Sequence, residues 1–454
     1  MNKEQFILLV SIGSYVTAFL YLFSVFIEQQ WLTLTYSFIA FFLVLCAIPI
    51  VGKINQMIAS LLVLIGFFIY FTEGISVNEI MIGFGANINL LTLFLFVPFI
   101  GVFLSSAGYL NKIKHLLETR NENHPYRLSS LLTATMGSVL NLGSMAIVHR
   151  IAEGSFRSFD RSKLLLVVLR SFAFCMFWSP YFVNVGLVLS LFHVEWKMIG
   201  ALGFSLGLVY LLISAFFFYH IRIPQDEGII TEPTTLKGNQ SPSIRPVMFF
   251  FIGLFGCSFL FDALSDVNML TIVSILALAY PLLWAITTKR LRLFVQDSVQ
   301  SMKTSFARLK NEIVIFISAG FFGGALSYTT IGTQISQFIF ELSFGSILAM
   351  SFLVILFAIA LAMIGIHPVV IVIGIGSSLS PDVFGVSAEY MALLLLVAWT
   401  LATQLSPFSG SILMTAGLAN RSPFLFMKQN ILFVFTNVIV LPFILYLFLV
   451  LHLV

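Results

Sequence analysis

Apolar runs of membrane-crossing length recur along the whole chain, and no other feature narrows its possible folds so far. A bilayer hydrocarbon core of about 30 Å takes about 20 apolar residues per helix. Runs of that kind fall at residues 6–27, 31–51, 57–72, 90–108, 164–192, 198–218, 246–262, 268–288, 313–330, 390–418 and 429–453. With 59% hydrophobic and only 9% charged residues among 454, the chain cannot clothe a water-soluble core of this size. The pattern predicts an all-α polytopic membrane protein, since within lipid the helix satisfies its own backbone N–H and C=O groups. The start, MNKEQF before an apolar run, has no small-residue cleavage site and reads as a first span within residues 1–30. Cys46, Cys175 and Cys257 are isolated and suggest neither a disulfide framework nor a metal site.

Charge sets the topology, because Lys and Arg accumulate in cytoplasmic loops. With the N-terminus in the cytoplasm, all of the 23 Lys and Arg residues except Lys197 and Arg170 fall on the inner side or its loops. Residues 129–155 are apolar but flanked on both sides by basic stretches, NKIKHLLETRNENHPYR and FRSFDRSK, so both ends belong inside. They are expected to form a re-entrant hairpin. Residues 345–378 lie between Glu341 and the pair Asp382 and Glu389 with no Lys or Arg nearby, the pattern of an opposed hairpin with both ends outside. That count leaves the C-terminus outside; a full crossing by residues 345–364 is the alternative and moves it to the cytoplasm.

Two opposed hairpins prompt a search for an internal repeat. PFIGVFLSS (98–106) aligns with GFFGGALSY (320–328) at an offset of 222, and the same offset sets Gly143 over Gly365 and Gly154 over Gly376. Ser179-Pro180 aligns with Ser406-Pro407 at 227. The reading is two inverted five-helix repeats, residues 31–220 and 247–454, joined by a polar cytoplasmic linker, residues 221–246. Both Ser-Pro pairs sit in apolar runs of 29 residues, about 44 Å as straight helices, which exceeds the bilayer core. Proline lacks an N–H and clashes with the preceding turn, so residues 164–192 and 390–418 are expected to be broken helices with loosened carbonyls at mid-membrane. Such backbone is tolerated there only when buried in protein or lining a polar cavity. A simple proline kink, its freed groups satisfied by Ser or Thr, is the plainer reading of either break taken alone.

The order of in-plane arm (109–127), hairpin and broken helix, repeated as span 313–330, short arm (331–343), hairpin and broken helix, resembles the ion transporter superfamily. That superfamily includes the divalent anion/sodium symporters, citrate transporters and the arsenite pump membrane subunit. The resemblance covers nearly the whole chain by topology. The Ser-Asn-Thr tips of the divalent anion/sodium symporters are reduced here to Asn141 in Leu140-Asn141-Leu142-Gly143-Ser144, and are replaced by Gly365-Ile366-His367-Pro368 at the second tip. The resemblance implies that tips and breaks hold substrate and Na+ near the midplane and move together as an elevator, while the other spans form a dimerising scaffold.

Site candidates come from these breaks and tips. Asn141, Gly143, Ser144, Ser179, Pro180 and Asn184 make one half of a substrate site, and Gly365, His367, Pro368, Ser406, Pro407, Ser409, Ser411 and Thr415 make the other. Tyr181 and Gln404 flank the breaks. Ser138, Asn141, Ser179 and Ser406 supply neutral oxygens for a candidate Na+ site, the kind of ligand hard cations accept. No cofactor beyond a coupling Na+ is expected. Asn141 and His367 also fit a plain turn role, and Arg170, the one intramembrane cation and by default the mark of a functional site in contact with ligand, lies close enough to its helix start to snorkel instead. The basic amphipathic stretch Lys289–Lys310 is expected to be a surface helix on anionic lipid and not a site.

The expected function is Na+-coupled uptake of a small organic anion, a carboxylate, across a bacterial plasma membrane, by a homodimer with no nucleic-acid partner. A proton-coupled carrier or an exporter of a neutral or zwitterionic solute or oxyanion fits the same architecture. An intramembrane enzyme needs a cluster of acid, base, metal or nucleophile that the spans lack, and a channel needs a continuous pore. Single cysteines at residues 111–128 and at residues 156–163 are expected to react with an impermeant maleimide from the cytoplasmic side alone. Labelling from opposite sides makes the first hairpin a full span.

Overall fold

The computed structural model describes residues 3–113, 124–156, 159–221 and 245–454. All regular structure among them is helical. Ten helical stretches are long and apolar enough to cross a membrane, from Gln5–Phe26 to Pro423–Val450, as a polytopic membrane protein requires. The in-plane arm expected at residues 109–127 and the linker at 221–246 lie mostly outside the described residues. The chain divides into two compact units, each drawn from both halves of the sequence.

The first unit comprises Met1–Phe103, Phe261–Gly345 and Val372–Gly385. Its longest element, Leu291–Leu326, has 36 residues and packs against Lys53–Thr72, Lys3–Phe26 and Gln30–Ala47. From Leu291 on, the basic stretch Lys289–Lys310 forms the leading part of this helix. No Gly or Pro interrupts residues 291–318, so the amphipathic stretch runs straight into the apolar one, with Phe294, Ser298, Ser305 and Phe306 buried on one face. The rings of Phe84 and Phe321 stack with centroids 4.0 Å apart. Gly66 admits the Phe321 ring, since a Cβ there would lie 2.6 Å from it. The run expected at 90–108 begins earlier as helix, at Val77, because Ser76 and Glu79 form a capping box. Ile331–Leu342 is the short arm.

The second unit comprises Leu104–Leu260, Ser346–Ile371 and Val386–Val454. Its first hairpin pairs Pro125–Leu140 with Gly143–Ser155; at the second, Ile347–Met363 turns at Gly365 into Pro368–Gly376, of which residues 368–371 belong to this unit. These four helices have 16, 13, 17 and 9 residues. The first broken helix runs Arg161–Cys175 and resumes at Val183–Phe192; the second runs Ala388–Leu405 and resumes at Gly410–Ala419. In each case the leading arm of the hairpin packs on the leading half of the broken helix that comes after it. Every residue from Tyr390 to Leu405 is buried, so this half-helix is the core of the unit. Trp196–Phe216 and the closing helix Pro423–Val450 pack against these half-helices.

Candidate functional site

The residue before a proline is pushed out of the α region, and Ser406 accordingly adopts φ −86°, ψ 114°. The two breaks carry the same set of bonds, 227 residues apart. Ser179 and Ser406 still donate their own N–H to Cys175 and Ala402, 3.0 Å each. Their carbonyls accept from Phe182 (3.0 Å) and Ser409 (3.1 Å), and their Oγ atoms accept from the N–H of Tyr181 and Phe408, 3.3 Å each. Each hydroxyl in turn donates to a carbonyl in the last turn of its hairpin's leading arm. Ser179 Oγ donates to Ser138 O, and Ser406 Oγ to Ala362 O at 2.7 Å. Each serine thus latches a broken helix to a hairpin, and one lone pair remains on each hydroxyl.

The tips lie just beyond these latches. Asn141 ends the first arm at φ 52°, ψ −143°, and Gly365 occupies the second turn at φ 97°. The two positive-φ residues are 224 apart, as are Ser138 and Ala362. The sequence register of 222, which set Gly143 over Gly365, is therefore shifted by two at the tips. Asn141 Oδ1 accepts from Leu142 N–H (2.8 Å), and Ser144 Oγ donates to Asn141 O (2.7 Å), bonds that fix the turn. At the second tip His367 Nδ1 accepts from Val369 N–H (3.3 Å), and Pro368 opens the returning helix.

Both tips converge on the second break. A Cβ on Gly410 would sit 3.4 Å from Leu142 Cδ1, and a Cβ on Gly365 would sit 3.4 Å from the Phe408 ring. The breaks themselves meet where Thr403 Oγ1 lies 4.0 Å from Met176 Sδ. The carbonyls of these two residues are capped, Met176 O by Asn184 Nδ2 (2.6 Å) and Thr403 O by Ser409 Oγ (2.7 Å). Ser409 Oγ also caps Gly410–Ala419 through Ile412 N–H (3.3 Å) and lies 3.4 Å from Ser411 Oγ, while Thr415 Oγ1 donates to Ser411 O (2.8 Å). Pro180, Pro407, Asn184, Ser411 and Thr415 are buried; Gly143 is exposed.

Of the four oxygens assigned to Na+, Ser138 and Ser179 are joined, Asn141 lies three residues on, and Ser406 belongs to the other latch. Ser138 Oγ bonds locally to Thr135 O (2.6 Å). Among the described residues no three His, Cys, Asp or Glu are grouped to hold a metal ion, so a cation here would rest on hydroxyls and carbonyls. Tyr181 turns away from the break to bond Ser258 Oγ at 2.6 Å. Arg170 does not snorkel. It is 1% exposed, donates from Nε to Asn430 Oδ1 (2.9 Å), and stacks over Phe433. Asn430 also donates to Gln404 Oε1 (3.2 Å), tying the closing helix to the second break. Sequence reasoning passed over Asn430, although an amide inside an apolar run is itself a signal.

No family model matches the chain, and a comparison with curated proteins finds no match.

Removing the Ser179 hydroxyl takes the side-chain donor from Ser138 O and leaves the Tyr181 N–H unpaired, and removing that of Ser406 leaves the Phe408 N–H unpaired while Ala362 O keeps the Gly365 N–H at 3.2 Å. Ser179→Ala and Ser406→Ala are each expected to lower stability by about 1–3 kcal/mol, whereas Ser138→Ala, which keeps the acceptor carbonyl, should change it by no more than about 0.5 kcal/mol. Thermal unfolding of the purified variants in one detergent makes the comparison.

Proposed function

We propose that the chain is a secondary active transporter of the ion transporter superfamily type, built from two inverted repeats. The observation that carries this reading is the latch. The same serine, two residues before the same N–H and bonded to the same turn of its own hairpin, recurs 227 residues apart, and the two breaks touch at Met176 and Thr403. A helix kinked by proline for packing alone has no reason to repeat its hydroxyl bonds in this way, or to meet its counterpart. Two hairpin tips and two breaks gathered in one unit supply the polar, neutral lining that a solute needs at mid-membrane. In this reading the unit holding both latches carries substrate across the membrane as an elevator, and the other unit is the scaffold of a homodimer in a bacterial plasma membrane.

The substrate is a small organic anion, a carboxylate, taken up with Na+. Half-helix starts such as Gly410–Ala419 favour anions, and hydroxyl and carbonyl oxygens without carboxylates favour a hard cation. A ligand that binds only the folded state raises stability by RT ln(1 + [L]/Kd). Carboxylates are therefore expected to raise the melting temperature of the purified protein only when Na+ is present. Asn141→Gly keeps the tip backbone and removes its amide, and Ser409→Ala removes a lining hydroxyl. Each should raise the half-stabilising carboxylate or Na+ concentration, by about tenfold per hydrogen bond lost to a charged group. Stabilisation by an uncharged compound, indifferent to Na+ and sensitive to pH, overturns this reading in favour of a proton-coupled carrier.

A further inference from the structure

Three side chains on three helices bring buried donors to one stretch of the closing helix Pro423–Val450, and each keeps one donor without a protein acceptor. Arg170 uses Nε on Asn430 Oδ1 (2.9 Å) and Nη2 on Gln429 O (3.2 Å), which leaves Nη1 buried without a partner. Its Cζ lies 4.2 Å from the centre of the Phe433 ring. The Tyr210 ring lies 5.0 Å from that same ring, and its hydroxyl is buried and unpartnered. Gln404 holds Asn430 through Oε1 (3.2 Å), and its Nε2 is buried and unpartnered. Arg170 is 1% exposed, and Tyr210 and Gln404 are 0% exposed.

The imbalance has a sign. Buried polar groups are nearly always paired, and an unpaired buried cation is strongly disfavoured, yet no described carboxylate lies within ion-pair distance of Arg170. The orphans around Asn430 and Phe433 are donors with a net positive charge. The orphan acceptor Asn437 Oδ1 lies one turn beyond Phe433, whose carbonyl accepts from Asn437 Nδ2 at 2.8 Å, and is one neutral acceptor against three donors of which one is charged. Such a set is complemented by a group with acceptors only and negative charge. We propose that Arg170, Tyr210 and Gln404 form a buried anion site that takes a halide or a carboxylate group. It stands independently of the transport reading, since it rests on the donor surplus alone.

The test is the melting temperature of the full chain in detergent at constant ionic strength, with sodium methanesulfonate replaced stepwise by sodium chloride in one series and by sodium acetate in another. Saturable stabilisation is expected. Saturation by chloride assigns the site to a resident inorganic anion, and saturation by acetate alone assigns it to the carboxylate of an organic solute. Tyr210→Phe removes an unpaired hydroxyl, so without the anion it should not destabilise the fold. With the anion it should raise the half-saturating concentration about tenfold, the loss of one hydrogen bond to a charged group. Arg170→Gln should abolish the effect. Absence of saturation with both anions in the unmodified protein, or an unchanged midpoint in Tyr210→Phe, overturns the proposal, and the Tyr210→Phe result decides it if Arg170→Gln does not fold.

Discussion

The bond from a Ser-Pro hydroxyl to the last turn of a hairpin is the interaction on which the second unit depends. Proline breaks each long helix and would leave polar backbone unpaired in an apolar interior, where every unpaired group is costly. The serine just before it answers both needs at once. It accepts the N–H two residues ahead, which shapes the break, and donates to Ser138 O or Ala362 O, which fastens the hairpin. Remove that hydroxyl and the break loses its form together with its neighbour. The remaining loosened carbonyls are closed by nearby side chains, Met176 O by Asn184 and Thr403 O by Ser409.

Around this frame the unit concentrates its polar side chains in an interior that is otherwise apolar. Arg170, Asn430 and Gln404 link three helices through side-chain bonds, and Tyr210 and Phe433 pack against the guanidinium's surroundings. Fully satisfied polar networks rigidify a core, and incompletely satisfied ones are unstable unless something completes them. The donors left open beside Asn430 therefore belong to the chemistry of the unit as much as to its packing.

Much of this was legible in the residues. Apolar runs marked most of the long helices, and Ser179-Pro180 and Ser406-Pro407 marked the breaks. The latch acceptors were not legible, because they are main-chain carbonyls 41 and 44 residues away, and Ala362 carries no polar side chain to mark its position. Nor was the tip register. Asn141 and Gly365 share a positive φ for different reasons, a small polar side chain in one and no Cβ in the other, so residue identity alone does not pair them. Snorkelling stood beside ligand contact for Arg170 because helical rise measures depth along one helix. It says nothing of Asn430, which comes 260 positions later. That Lys289–Lys310 runs on into the apolar stretch was not legible either, since composition changes at its end and a change of composition without Gly or Pro does not stop a helix.

The central claim, that two latched breaks and two tips form a site which carries a solute across the membrane, is tested most directly by flux into proteoliposomes containing the purified chain. An inward Na+ gradient should drive saturable accumulation of a labelled carboxylate that stabilises the protein, and dissipating the gradient should abolish accumulation while leaving exchange intact. Flux that rises linearly with concentration and ignores the gradient would contradict the account and describe a pore.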